Sequence, residues 1–337
     1  RAGVSRPANR PLGMTHVRGV RIVVAGGVQR RGEDLVEPTK RRPDLLDPYT
    51  IAQLGGIELV ARGIVEGFLA GSHRSPFHGF SVEFAELRPY QPGDELRYLD
   101  WRMLARSDRL FVKQYEEETN LRSMIVLDVS ASMDWTGAED RLSKLDYAKR
   151  LVAALALIML RQRDATGLIA FDEIVRDVVR ARVRSGHWWL IARSIERLES
   201  GGRTAAEAAL RKVTDLLRRR GLVVFVSDLL FDRQLALKAL QYLRHRGHQV
   251  MVFHVMDPAE LTLEGPAEAR FEDPETGATV VARPRELRAV YQETVQRTID
   301  AWRSTCRGSG IDYHHVLTTT PFGYVLRRAT ARRTRLG

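Results

Sequence analysis

From Arg122 onward the chain alternates short runs that are apolar at nearly every position with stretches whose apolar residues recur at helical spacing. The apolar runs fall at 124–127, 167–171, 222–226 and 249–255, with a second run close behind at 174–179 and a last one at 313–317. A strand that is apolar on both faces has to be covered on both faces, and the amphipathic stretches between the runs supply that cover. Helices are expected over 142–161, from about residue 188, from about 205 to 220, over 234–246 and over 284–306. The expected fold class is therefore α/β: a doubly wound, mostly parallel sheet with helices on both faces. The turn signal Asp273-Pro-Glu-Thr-Gly277 predicts a hairpin inserted at 270–283.

Upstream of this pattern the text differs. Apolar residues at helical spacing, among them Ile51, Leu54, Ile57, Ile64 and Phe68, predict a helix over 48–70. Between Gly71 and Glu118, Gly, Pro, Tyr, Trp and paired charges interleave without sustained period, so a small region of strands and turns is expected there. The predicted organisation is a disordered basic tail (1–45), an upstream helix and strand/turn region (46–119), the α/β domain (120–330) and a basic C-terminal tail (331–337). The tail at 1–45 lacks the continuous apolar stretch of a secretory signal, and Pro7 and Pro11 break any helix at its start. It is expected to be an extension without structural role, with Met14 as an alternative start.

A net charge of +11 raises the question of nucleic acid, and the placement of the charge answers it. Residues 1–43 carry ten Lys/Arg against three acids, residues 323–337 carry five Arg and no acid, and the rest of the chain holds 38 basic and 39 acidic residues. A surface built to grip phosphates keeps its cations on the fold, so specific nucleic-acid binding is not expected. Cys306 is the single cysteine, which excludes an intrachain disulfide and fits a reducing cytoplasm. The most apolar run, 151–160, is far shorter than the roughly 20 residues that cross a bilayer, so no membrane span is expected.

Ligands of open parallel sheets bind outside the carboxyl ends of the strands. The polar residues placed there by the sequence are Asp128, Ser130 and Ser132 after one apolar run, Asp228 after another, and Thr204 in the Gly201-Gly-Arg-Thr turn. This set offers oxygen alone, with no His or Cys, which suits a small hard cation such as Mg²⁺ or Mn²⁺. Each residue also has an ordinary use: Asp128 or Ser132 could cap a helix, Thr204 with Glu207 reads as a capping box, and Asp228 could be a solvated strand end. Their agreement in chemistry and in predicted location favours the cation. The histidines, including His245 and His248, show no zinc-type spacing.

Asp128-x-Ser-x-Ser, then Thr204 after a Gly pair, then Asp228 after the next core strand, resembles the metal-ion-dependent adhesion site of von Willebrand factor A domains. Upstream, Gly71-Ser-His-Arg-Ser75, Glu83-Phe-Ala-Glu-Leu-Arg88, Tyr90-Gln-Pro-Gly-Asp94, Arg97-Tyr-Leu-Asp-Trp101 and Val112-Lys-Gln-Tyr-Glu-Glu-Glu118 resemble the hallmark block of the domain-of-unknown-function 58 family. The resemblance implies a bacterial protein working beside a MoxR-type AAA+ ATPase, with a role in assembling or maturing other complexes. Asp94, Arg97, Asp100, Trp101 and Arg102 could form a partner surface in that block, although paired charges near a Trp more often lock a turn.

The function expected from the whole is a noncatalytic, cation-dependent interaction module whose protein partner is a MoxR-type ATPase or its client. A metal-dependent phosphatase-like hydrolase using Asp128 is the alternative, but the acidic donor such an enzyme places two residues on is here Ser130. No phosphate-cradling Gly-rich loop is present. Nucleic-acid binding through the basic tails is the remaining alternative.

Overall fold

A computed structural model describes residues 21–23, 48, 56–70, 82–92, 99–117, 121–202, 214–217, 219–273 and 276–331. In chain order the upstream part contains β1 (Arg21–Val23), α1 (Ile57–Ala70), β2 (Val82–Pro89), α2 (Trp101–Ser107) and β3 (Phe111–Glu117). The α/β part then runs β4 (Arg122–Asp128), α3 (Lys144–Arg161), β5 (Ala165–Phe171), β6 (Val175–Arg182), α4 (His187–Arg197), β7 (Leu222–Ser227), α5 (Arg233–His245) and β8 (Gln249–Met256). It closes with α6 (Ala259–Thr262), β9 (Ala269–Glu272), β10 (Thr279–Ala282), α7 (Pro284–Gly308), β11 (Asp312–Leu317) and α8 (Phe322–Ala331).

The six-stranded central sheet has the order β11-β8-β7-β4-β5-β6. The first five strands of that order are mutually parallel, and β6 alone is antiparallel, at the edge. The central strand β4 shows why the pattern gives two helical layers. Successive side chains leave a strand on opposite faces, and Ile125 and Leu127 enter one buried cluster while Met124 and Val126 enter the other. The first cluster gathers α1, α3, α4 and α8, with Phe68, Tyr147 and Phe322 fully buried. The second is closed by α5 and α7 through Leu240 and Trp302. The doubly wound, mostly parallel α/β fold is present as the sequence indicates.

Several elements differ from expectation. The described part of the first helix starts at Ile57, and Ile51 and Leu54 lie outside the described residues. Of the helix expected from 205 to 220, residues 214–216 are helical, and 205–213 and 218 lie outside the described residues. The turn-rich upstream region contains a two-stranded antiparallel sheet, β2 with β3, and between them the unexpected helix α2. Asp100 starts that helix: its Oδ1 accepts hydrogen bonds from the Arg102 and Met103 amides at 2.9 and 3.1 Å. Asp100 is thus a cap, whereas Trp101 is 63% exposed, and Asp94 and Arg97 lie outside the described residues.

Two further differences concern the ends. Arg21–Val23, within the segment expected to be disordered, pairs antiparallel with β9 of the inserted hairpin. Helix α8 follows the last strand unannounced; Tyr147 of α3 stacks on its Phe322 at 4.6 Å and donates its hydroxyl hydrogen to the Thr320 carbonyl at 2.7 Å.

Candidate functional site

The parallel register brings the carboxyl ends of four strands to one rim, because Asp128 pairs with Phe171, Leu127 with Val226, and Ser227 with His254. Each of these strands ends in, or is followed at once by, an aspartate: Asp128, Asp172, Asp228 and Asp257. All four are buried. A buried carboxylate needs a counter-charge or several hydrogen bonds, and three of the four have a cationic side chain. Arg176 meets Asp172 at 2.6 Å, Lys144 meets Asp228 at 2.8 Å, and Arg141 meets Asp257 at 3.0 Å.

Asp128 differs. Among the described residues no cationic side chain forms an ion pair with it. Its Oδ1 accepts from the Ser130 amide at 3.0 Å, and its Oδ2 accepts from the Ser227 hydroxyl at 2.7 Å. Burial, and then the charge of Asp228, push its pKa up to about 7 against the lowering effect of those hydrogen bonds. The Ser130 and Ser132 hydroxyls lie beside it, buried and 3.2 Å apart. Ser130 precedes a short helical turn over Ala131–Asp134, so alternate residues of this loop carry the oxygens.

Asp228 is presented by a strained turn. Leu229 adopts φ +55, a left-handed conformation that a bulky residue rarely takes and that costs roughly 1–3 kcal/mol. Its amide donates to the Ser227 hydroxyl at 2.9 Å, and the Leu230 amide donates to Asp228 Oδ1 at 3.2 Å. The chain therefore turns tightly around the two side chains that face the Asp128 loop.

Thr204 lies outside the described residues. Its loop is nevertheless tied to the Asp128 loop two residues earlier: the Ala131 amide donates to the Gly202 carbonyl at 3.3 Å, and the Gly201 amide donates to the Val129 carbonyl at 3.0 Å. Gly202 has φ +72, and a Cβ there would stand 2.6 Å from Asp172 Oδ2, so the close approach requires glycine. The structure thus brings Asp128, Ser130, Ser132 and Asp228 to one rim, with the stem of the Thr204 loop beside them.

Sequence reasoning missed Lys144 and Glu260. Lys144 is the first residue of α3, where Ser143 accepts the Asp146 amide as the cap, and its side chain is fully buried. Its ammonium donates to Asp228 Oδ2 at 2.8 Å and to Glu260 Oε1 at 2.6 Å. Burial by itself would lower the lysine pKa, but Asp228 and Glu260 outweigh it and hold it above the ordinary value. Glu260 is raised by burial and by Asp228, although Lys144 pulls it down, and its Oε2 accepts the Asp257 amide at 2.8 Å. A cation at a helix start opposes the helix dipole, and this position, ahead of a strongly apolar helix, was the available signal. Asp172 and Asp257 obeyed the same strand-end rule as Asp128 and could have been found by it.

His254, on β8, also borders this network. Its Nδ1 is hydrogen-bonded to the Tyr313 hydroxyl at 2.6 Å. Burial, and then positive charge from His315 and Lys144, hold its pKa well below the ordinary histidine value, so the ring is neutral. Beyond it opens a cleft of about 1170 Å³, bordered by Trp135, Asp228, Phe231, Glu260, Tyr291 and Trp302 among others.

The donor set fits a divalent cation. It contains oxygen only, two carboxylates close enough for one to raise the other, and two hydroxyls that add ligands without charge. Among the described residues no group of three or more His, Cys, Asp or Glu converges as a metal cage, so any cation here would rely on hydroxyls and water as well.

The family described as "Protein of unknown function DUF58" matches residues 86–300. The uncharacterized protein Rv1480 of Mycobacterium tuberculosis is 29% identical over 280 residues, which are 81% of this chain and 86% of that protein. Among solved structures, the conserved hypothetical protein BatB from Bacteroides thetaiotaomicron aligns over 64% of this chain and 99% of its own at 20% identity, with a TM-score of 0.41. A von Willebrand factor type A structure from Catenulispora acidiphila aligns over 42% of this chain and 34% of its own at 15% identity, with a TM-score of 0.33. The fold itself rests on the strand order and directions given above. With the family match spanning most of the α/β part together with β3 and the end of β2, the chain belongs to the DUF58 family and carries the doubly wound, mostly parallel sheet described above.

Proposed function

We propose that this protein is a noncatalytic interaction module that uses one divalent cation, Mg²⁺ or Mn²⁺, to engage a protein partner. Asp128, Ser130, Ser132, Thr204 and Asp228 are the proposed ligands. The observation that carries this reading is the contrast at the rim: among the described residues, three buried aspartates have a cationic side chain, and Asp128 has hydroxyl and amide donors alone. A carboxylate lifted to about pH 7 by burial is poised for a cation that compensates it. A bound ion would supply a Lewis-acidic position to which an acidic side chain of the partner adds.

A hydrolase reading finds less support. Asp128 is fully buried with each carboxylate oxygen engaged, and the residue two positions on is Ser130, which is a poor proton donor. The partner class, a MoxR-type AAA+ ATPase or its client, comes from the family resemblance and not from the geometry, and the expectation of a cytoplasmic protein comes from the single cysteine, Cys306. Among the described residues no helix is long and apolar enough to cross a membrane.

Capture from a lysate of the native host by immobilised protein, with Mg²⁺ and with excess chelator, tests the proposal. A MoxR-type ATPase retained by the wild type in Mg²⁺, and released both by chelator and by Asp128→Asn, is the expected result. Retention indifferent to chelator and to the substitution would remove the cation from the function.

A further inference from the structure

The balanced charge of the chain between its tails conceals a local excess. Edge strand β6 and helix α4 enclose a groove of about 480 Å³, lined by Arg180, Arg182, Arg184, Arg193 and Arg197. All five are exposed, and none forms an ion pair with a described residue. Arg176, a few residues upstream, shows the contrast by pairing with Asp172. The groove has one acid, Asp177, and its carboxylate is already occupied by the Ser194 hydroxyl at 2.5 Å and by the Val178 amide at 2.7 Å. Five like charges around one groove repel one another, and an anionic ligand relieves that repulsion.

Arg180 falls in a bulge of β6 between the Val179 and Arg182 pairings, Arg184 follows the end of the strand, and Arg193 and Arg197 stand one helical turn apart on one face of α4. Between them Val178 and Leu190 line the groove with partly exposed apolar surface. Moreover, β6 pairs only with β5 among the described residues, so its outer edge offers backbone N–H and C=O groups to another strand.

Charges on an edge strand commonly serve to block unwanted pairing. A blocking role accounts for the strand's own arginines, but not for two more supplied by a separate helix to the same groove. A nucleic acid would use the arginines and leave the apolar lining and the backbone edge without a role. An acidic peptide uses all three.

We propose that the β6–α4 groove docks an extended acidic segment of a partner protein, which adds as a strand to the outer edge of β6 while its carboxylates meet the arginines. The groove runs away from the cation rim: Asp177 stands opposite Ala170, level with Leu127, whereas Arg182 stands opposite Thr166, whose neighbour on β4 is Ser123, at the far end of the sheet from Asp128.

The test uses the full chain and a labelled peptide alternating Glu and Val, followed by fluorescence anisotropy. We expect saturable binding that Arg182→Glu with Arg193→Glu weakens by about tenfold or more. N-methylation of alternate peptide amides should weaken it comparably, because strand addition needs those donors. Arg184→Gln with Arg197→Gln is the milder pair should the charge reversal disturb folding, and it should weaken binding in the same direction. Neither pair should alter divalent-cation binding. Binding untouched by both pairs, or by N-methylation, would overturn the proposal. So would a DNA duplex that binds more tightly than the peptide and competes it from the groove.

Discussion

Asp128 and Lys144 sit at one rim with opposite electrostatic situations. Lys144 is paired with two carboxylates, and Asp128 has no cationic side chain among the described residues. Removing one partner of a buried ion pair leaves the other charge uncompensated, at a cost of about 3–5 kcal/mol. Lys144→Met is therefore expected to destabilise the protein by that amount in chelator, and Mg²⁺ should restore more stability to this variant than to the wild type. Urea unfolding with and without the ion measures both. Lys144 escaped the sequence reading because a lysine at a helix start is ordinarily solvated, and only the fold brings residues 228 and 260 to it. Asp128, Ser130 and Asp228 were legible because a polar residue directly after an apolar strand must lie at the sheet's end.

The same residue sets a pH dependence. The Asp128 carboxyl titrates near 7 in the folded protein against 3.8 for a free side chain. Its folded value is raised, so ionisation costs stability: in chelator this contribution is most favourable below the free value and is lost as pH climbs towards 7. A divalent cation binds the ionised form and displaces the proton. Cation affinity should accordingly rise by up to about tenfold per pH unit across this window and level off above it. Calorimetric titrations across the window would show a flat profile if Asp128 were not a ligand.

At the scale of elements, the loop between α4 and β7 decides whether the fifth ligand reaches the rim. Its stem is fixed by the Ala131–Gly202 and Gly201–Val129 hydrogen bonds, and a Cβ at Gly202 would crowd the Asp172 carboxylate at a φ of +72. Gly202→Ala should cost about 1–3 kcal/mol in strain and displacement, and should weaken the cation more than it weakens the fold. Equal loss of thermal stability with unchanged cation affinity would show that the loop does not contribute. The long parallel strands and helices were legible because their periods are sustained. Helices α2 and α8 were not read: α2 has no buried residue to give it a stripe, and α8, although Phe322, Val325, Leu326 and Ala329 repeat at helical spacing, is only ten residues long.

Across the whole molecule, total charge proved a poor guide to its distribution. The part between the tails is balanced, yet four buried aspartates and Glu260 gather at the strand-end rim and five arginines line the groove between β6 and α4. This polarity gives the sheet two chemically distinct places, one suited to a cation and the other to an anionic segment. A count along the chain cannot reveal it, because the residues that meet at each place are separated in sequence and joined by the register of the sheet.

Calorimetric titration of Mg²⁺ or Mn²⁺ into the wild type and Asp128→Asn at about pH 8 bears most directly on the role of the rim, because Asp128 is then ionised. The wild type should bind one ion per chain. The variant, which keeps the shape and removes the charge, should bind none while melting in chelator at or above the wild-type temperature. Equal binding by both proteins, or none by the wild type at millimolar ion, would contradict the assignment of Asp128 to a cation.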